Sequence, residues 1–285
     1  MNGLNFFAPS QIAEKVRDAC YKKCHTPTKK LFILAILAGA FIGFGTELFI
    51  MVYHDVGAKM SVGFAKFLGG SVFSVGLMLV VIAGSELFTG DNLIVIAALE
   101  KKIKWSELFK AWGVVYAGNF IGSMIIVLMM FFSGLWATNG SAVGATAVNI
   151  ANAKVHLTFL QALMRGIGCN WLVCLAVWMA TSAKDIVGKI FAIYFPIMAF
   201  VASGFEHSVA NMTFIPYGIL LKNIPSVITA TGKSASTFAS LNWGTFVVKN
   251  LIPVTLGNII GGAFFVGVIY WYIYLKKEPS KIETN

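Results

Sequence analysis

Gly84 Ser85 Glu86 Leu87 Phe88 Thr89 Gly90 Asp91 and Gly204 Phe205 Glu206 His207 Ser208 Val209 Ala210 Asn211 each interrupt a long apolar stretch. Carboxylates, glycines and a histidine at membrane depth are costly, so such residues by default line a cavity or pathway rather than face lipid. The device occurs twice at matching offsets, which points to a transporter or channel built from two repeated halves.

The rest of the chain agrees with a membrane setting. Of its 285 residues 58% are hydrophobic and only 12% charged, and the mean hydropathy is +0.78. Soluble chains carry roughly 25% charged residues. Charge-poor runs near 31–53, 61–97, 107–133, 158–182, 186–221 and 247–275 predict six spans. At about 1.5 Å per residue the second and fifth runs would each extend roughly 54 Å as one helix, against a hydrocarbon core of about 30 Å. Each must break or fold back, and the two polar phrases lie inside those runs.

Six spans put both termini on one side. Most of the 22 lysines and arginines fall before the first run, between the second and third, between the fourth and fifth, and after the sixth, which places both termini in the cytoplasm. The net charge of +10 is dispersed over loops and makes no nucleic-acid surface. No apolar signal region precedes the first span, which is expected to direct insertion itself. The chain divides into an N-terminal cytoplasmic segment 1–30, a channel domain 31–275 and a cytoplasmic tail 276–285. Within the first, Ile12, Val16 and Ala19 at helical spacing predict a short amphipathic helix over residues 9–24, with interfacial anchoring its expected role and gating the alternative. Cys20, Cys24 and His25 make a weak metal signal without a second ligand pair, and Cys169 and Cys174 read as packing residues; no metal and no cofactor is expected.

The repeat has a second anchor. Gly118 Asn119 Phe120 Ile121 Gly122 in the third run answers to Gly257 Asn258 Ile259 Ile260 Gly261 in the sixth. Glycines at this spacing permit close helix contact, and an asparagine inside a span needs partners, so interhelical bonding is one reading of Asn119 and Asn258. Three spans per half are an odd number, so the second half starts from the opposite face and the repeat is inverted. Inverted repeats put substrate sites near the midplane, where discontinuous helices point positive N-terminal ends inward and favour an anion.

His207 is the only histidine within a span; His25, His54 and His156 fall in loops or at an edge. Imidazole at depth can donate a hydrogen bond to an anion or, when charged, hold or protonate it. Thr89 offers a hydroxyl near the same depth, within reach of His207. Glu86 and Glu206 are equivalent by repeat, and a structural role is the expectation for Glu86. Lys154, just before the fourth span, is placed to raise local anion concentration, or else is an ordinary snorkelling lysine. Phe73, Leu77, Leu87 and Phe200 stand near the breaks, where bulky apolar groups can form constrictions or simply pack.

At these residues the chain resembles the formate/nitrite transporter family, and most of all its formate channels. The matching strings include Lys66 Phe67 Leu68 Gly69 Gly70, Gly84 to Thr89, Gly118 Asn119, Lys154 Val155 His156, Asn170, Ser203 to Met212, and Asn250 to Asn258. The resemblance implies an all-α membrane protein, aquaporin-like, with six transmembrane helices as two inverted three-helix repeats and broken second and fifth helices. It further implies a homopentamer with a pore in each protomer. It assigns His207, Thr89, Lys154, Glu206 and Asn258 to the substrate pathway, with Asn170 counted among them, and Phe73, Leu77, Leu87 and Phe200 to apolar constrictions. The chain departs from the pattern at Leu157, where a second histidine is usual, and at Arg165, an apolar position in the formate channels, which is expected to pair with Glu47 or to alter the pore's charge.

The function expected is not enzymatic: nothing supplies a nucleophile with an oxyanion site. A channel in the cell's plasma (inner) membrane is expected to pass small monovalent anions, formate first, with nitrite, hydrosulfide and acetate as alternatives. The anion is drawn in by Lys154, loses water, receives a proton relayed through His207 and crosses as the neutral acid, which escapes most of the cost of a charge at the bilayer centre.

Overall fold

The computed structural model describes residues 6–276, which are almost wholly helical; the tail expected beyond residue 276 lies outside the described residues. Among the described residues six helical segments are long and apolar enough to span a membrane. Helix α1 (Pro9–Cys24) precedes the first span, α2 (Thr28–Lys59). The second expected span is α3 (Val62–Gly84) followed after a break by the short α4 (Phe88–Leu99). Then come α5 (Trp105–Ser133), α6 (Thr138–Val155) and α7 (Phe159–Ser182). The fifth is α8 (Ile186–Ser203), a break, and α9 (Ser208–Leu221); α10 (Pro225–Thr231) leads into α11, residues 243–274.

Local chemistry sets the ends. Ser61, Thr158 and Asp185 accept the N–H of Phe64, Gln161 and Gly188 and so start α3, α7 and α8. Gly84 at φ +90° and Gly204 at φ +77° end α3 and α8 in backbone that a side chain would strain, and this is what breaks the two long segments.

Helix α6 lies between the third and fourth expected spans, where the sequence reading places no element. Its polar, small-residue composition is far from a span, yet Ala147, Val148 and Ala151 are fully buried, and a Cβ on Gly218 of α9 would collide with Ala151. Small residues on both faces let α6 lie close against α9, and its last turn carries Lys154.

The paired glycines behave as expected. A Cβ on Gly122 would strike the carbonyl of Ile36, and one on Gly257 the carbonyl of Leu163. The corresponding asparagines make the same three bonds in each half. Asn119 Nδ2 donates to the carbonyls of Ala35 (2.8 Å) and Glu86 (3.0 Å) while its Oδ1 accepts the Phe88 N–H (2.9 Å). Asn258 Nδ2 donates to the carbonyls of Gly166 (2.8 Å) and Glu206 (3.0 Å) while its Oδ1 accepts the Ser208 N–H (2.9 Å). The N–H groups of Glu86 and Glu206 bond the carbonyls of Leu34 and Arg165 in turn. Backbone freed by each break is thereby satisfied inside the protein, as the bilayer demands.

Candidate substrate pathway

Two separate cavities approach each other from opposite ends of α2. One, of about 460 Å³, is lined by Lys23 of α1 and by Leu77, Val80, Glu86 and Leu87. The other, of about 150 Å³, is lined by Phe73, Lys154, Phe200, Glu206, His207, Asn211 and Phe214. The four expected constriction residues divide accordingly: Leu77 and Leu87 border the first cavity, Phe73 and Phe200 the second, and all four are buried. The rings of Phe73 and Phe200 meet edge to face at 5.8 Å, and Phe200 stacks on the His207 imidazole at 5.9 Å.

His207 and Thr89 meet as the sequence suggested, Nε2 to Oγ1 at 2.9 Å. His207 is the N-cap of α9, and its Nδ1 accepts the N–H of Ala210 at 3.0 Å. An Nδ1 that accepts leaves the proton on Nε2, so the ring is the neutral Nε2–H tautomer donating to Thr89. A relay that protonates Nδ1 must therefore first give up the Ala210 bond. Leu87 holds the equivalent N-cap position before α4 and has no group with which to cap.

Lys154 is not a free cation. Its Nζ lies 2.9 and 3.0 Å from the two carboxylate oxygens of Glu206 and 5.1 Å from the Phe214 ring centre. Asn211 Nδ2 donates to Glu206 Oε2 at 2.7 Å, and Asn250 bridges Asn211 and the Lys154 carbonyl. This mouth is therefore charge-balanced, and its pull on anions is weaker than a lone lysine would exert.

Asn170 and Asn258 border neither cavity. Asn170 Nδ2 faces the carbonyls of Thr89 (3.1 Å) and Asn258 (2.7 Å) and Asn92 Oδ1 (2.9 Å), tying α7 to α4 and α11. Both asparagines position the breaks. Since Asn119 and Asn258 already occupy the N–H of Phe88 and Ser208, those first N–H groups of the short helices are not open to an anion. Arg165 is exposed, and among the described residues no ion pair joins it to Glu47.

Sequence reasoning missed Lys23 and Asp91. Lys23 Nζ lies 2.5 Å from Glu86 Oε2 and 2.6 Å from Asp91 Oδ1. The apolar face of α1 (Ile12, Ala13, Val16, Cys20) is buried among neighbouring helices, so the helix is docked on protein at this mouth. The available signal was the repeat itself: Asp91 follows Glu86 at the interval by which Asn211 follows Glu206. Burial raises the Cys20 thiol well above its usual range and the Cys24 thiol to about 11, and His25 Nδ1 bonds the Tyr21 carbonyl at 2.9 Å.

His54, expected in a loop or at an edge, lies inside the first span, whereas His207 stands in the break before α9. Two cavities separated by buried apolar side chains, with an imidazole at a helix break, define a membrane channel or transporter for a small solute. Residues 10–272 match the formate/nitrite transporter family, and the chain belongs to it. It is 42% identical over 279 residues to the formate channel FocA of Escherichia coli (strain K12), covering 97% of this chain and 98% of that one. It is 41% identical to a probable formate transporter of Methanothermobacter thermautotrophicus, covering 96% and 100%. Among solved structures it is similar to a pentameric formate channel with formate bound, with TM-score 0.82 and 46% identity over 87% of this chain and 98% of that one. An ion channel of the same family matches with TM-score 0.77 and 27% identity, over 92% and 98%.

Proposed function

We propose that the chain passes formate across the plasma membrane together with a proton, as a homopentamer with a pathway in each protomer and both termini in the cytoplasm. Formate and the pentamer are supported by the relatives, one called a formate channel and one a formate-bound pentamer. The observation that supports the mechanism is the 2.9 Å bond between His207 Nε2 and Thr89, with His207 lining one cavity beside Phe73 and Phe200.

A formate ion that enters from either mouth must shed water to pass Phe73 and Phe200 or Leu77 and Leu87. Desolvation raises the proton affinity of a carboxylate. The Nε2–H holds one formate oxygen in place of Thr89, a hydronium ion arriving through the vestibule gives its proton to the other and is left as water, and formic acid crosses uncharged. Water on the far side takes the proton back, so anion and proton move one for one. His207 in this account holds the anion and keeps its own proton, which spares the Ala210 bond.

Proteoliposomes with an imposed proton gradient test this: labelled formate should be driven by the gradient, and uptake indifferent to it removes the proton step. Nitrite, hydrosulfide and acetate are likewise small monovalent anions of weak acids, and the family description itself includes nitrite. Competition of these anions against labelled formate in one assay ranks them.

A further inference from the structure

Each mouth sets a lysine against the glutamate of a break, and the residue five positions after that glutamate differs between them. At one, a lysine faces one carboxylate, Lys154 and Glu206, and the neighbouring Asn211 amide donates to that carboxylate. At the other, Lys23 faces two, Glu86 and Asp91. The Asp91 side chain is wholly buried, and its Oδ2 has no hydrogen-bond partner among the described residues. Trp112 Nε1 is engaged by the Asp91 backbone carbonyl instead.

We propose that Asp91 is a proton-binding site that controls anion passage at the Lys23 mouth. Fully ionised, the cluster holds one cation against two anions, which leaves a negative charge uncompensated beside the cavity that Lys23 and Glu86 line and behind which Asp91 is buried. With one proton on the pair the cluster is neutral. A protonated Asp91 also gains an O–H donor, the capability that Asn211 supplies at the opposite mouth. The proton thus gives this mouth the charge and hydrogen-bonding pattern that an amide fixes permanently at the other. Because two carboxylates share it, the proton belongs to the pair.

Other groups near the cluster leave this balance in place. Cys20 and Cys24 on α1 are held as thiols by burial, and Cys174 of α7 donates its S–H to the Thr89 carbonyl at 3.3 Å. Glu107, at the start of α5, is bound to the Lys104 N–H at 2.7 Å and adds negative charge rather than compensating it. Lys23 remains the cation, since two carboxylates at hydrogen-bond distance hold its proton.

The inference rests on anion transport for its flux readout but not for its spectroscopic one. Labelled formate entry is measured in right-side-out and inside-out membrane vesicles of cells making the full chain, with formic acid held constant while pH varies on the entry side. Entry from the Lys23 side should fall by up to about tenfold per pH unit above the titration point, as one proton dictates, while entry from the Lys154 side lacks that component. Asp91→Asn should abolish the difference, and Asn211→Asp should install the same dependence at the Lys154 mouth. Independently of transport, infrared difference spectra on titration should contain a protonated carboxyl C=O band in the parent that Asp91→Asn removes. Identical sided pH profiles in the parent and in correctly assembled Asp91→Asn overturn the proposal, as does the infrared band surviving that substitution. If no vesicle transports formate while the band behaves as stated, the transport reading fails and the proton site stands.

Discussion

The breaks at 85–87 and 204–207 share a glycine of positive φ, a glutamate whose N–H bonds a neighbouring span, and an asparagine that ties the break together through three bonds. They differ in the residue that starts the short helix. Leu87 is an apolar wall with no capping group; His207 caps α9 with one nitrogen and presents the other to Thr89. The scaffold is thus duplicated while the chemistry is not. One half supplies an apolar side chain and a hydroxyl, the other an imidazole bonded to that hydroxyl.

The comparison breaks most visibly at His207. His207→Phe removes the donor aimed at the passing anion and should lower formate flux by at least about 100-fold, as loss of a preorganised donor does elsewhere. His207→Asn keeps an N–H donor and should retain a measurable part of it; equal loss in the two variants would deny the donor role. Next come the staples. Asn258→Ala leaves the Glu206 carbonyl and the Ser208 N–H without their partner, and Asn119→Ala does the same to Glu86 and Phe88, at about 1–3 kcal/mol per buried group. Thermal unfolding in detergent should show the two losses to be similar, whereas a loss confined to one half contradicts a duplicated scaffold.

Smaller effects sharpen the contrast. Leu87→Ala thins the wall beside the Lys23 cavity and should admit a chloride leak, absent in the parent, detectable by conductance of planar bilayers. Thr89→Val removes one neutral acceptor worth about 1 kcal/mol, so formate flux should change by no more than about fivefold. A loss as large as that of His207→Phe would make the hydroxyl an equal partner in the chemistry.

Much of this architecture is legible in the chain because membrane depth makes polar residues conspicuous. Glu86, Glu206, His207, Asn119 and Asn258 stand out against apolar neighbours, and each proves to sit at a break or to tie one. What the sequence hides are residues whose surroundings look ordinary. Lys23 reads as one of several basic residues on a terminal helix, and nothing in its spacing says that it reaches Asp91. Helix α6 is too polar and too rich in small residues to be recognised as a packed element, although those small residues are why it lies close to α9. Lys154 is visible as a cation but its partner is 52 positions away, so its neutralisation by Glu206 appears only in three dimensions. Asn170 is conspicuous for the same reason as His207 and yet serves as an interhelical tie, because polarity at depth marks either a pathway or a joint.

The three-bond staples at Asn119 and Asn258 also decide which parts can move. Each fastens a break to two spans of its own half, and Asn170 of α7 ties the second half to Thr89 and Asn92 of the first, so neither break can shift without rupturing buried bonds. Freedom is left to the rings of Phe73 and Phe200 and the side chains of Leu77 and Leu87. Rotamer changes are fast compared with domain motion, on the order of nanoseconds where packing permits. Passage through such a barrier resembles a turnstile more than a lock: the frame stays still, and only its arms turn.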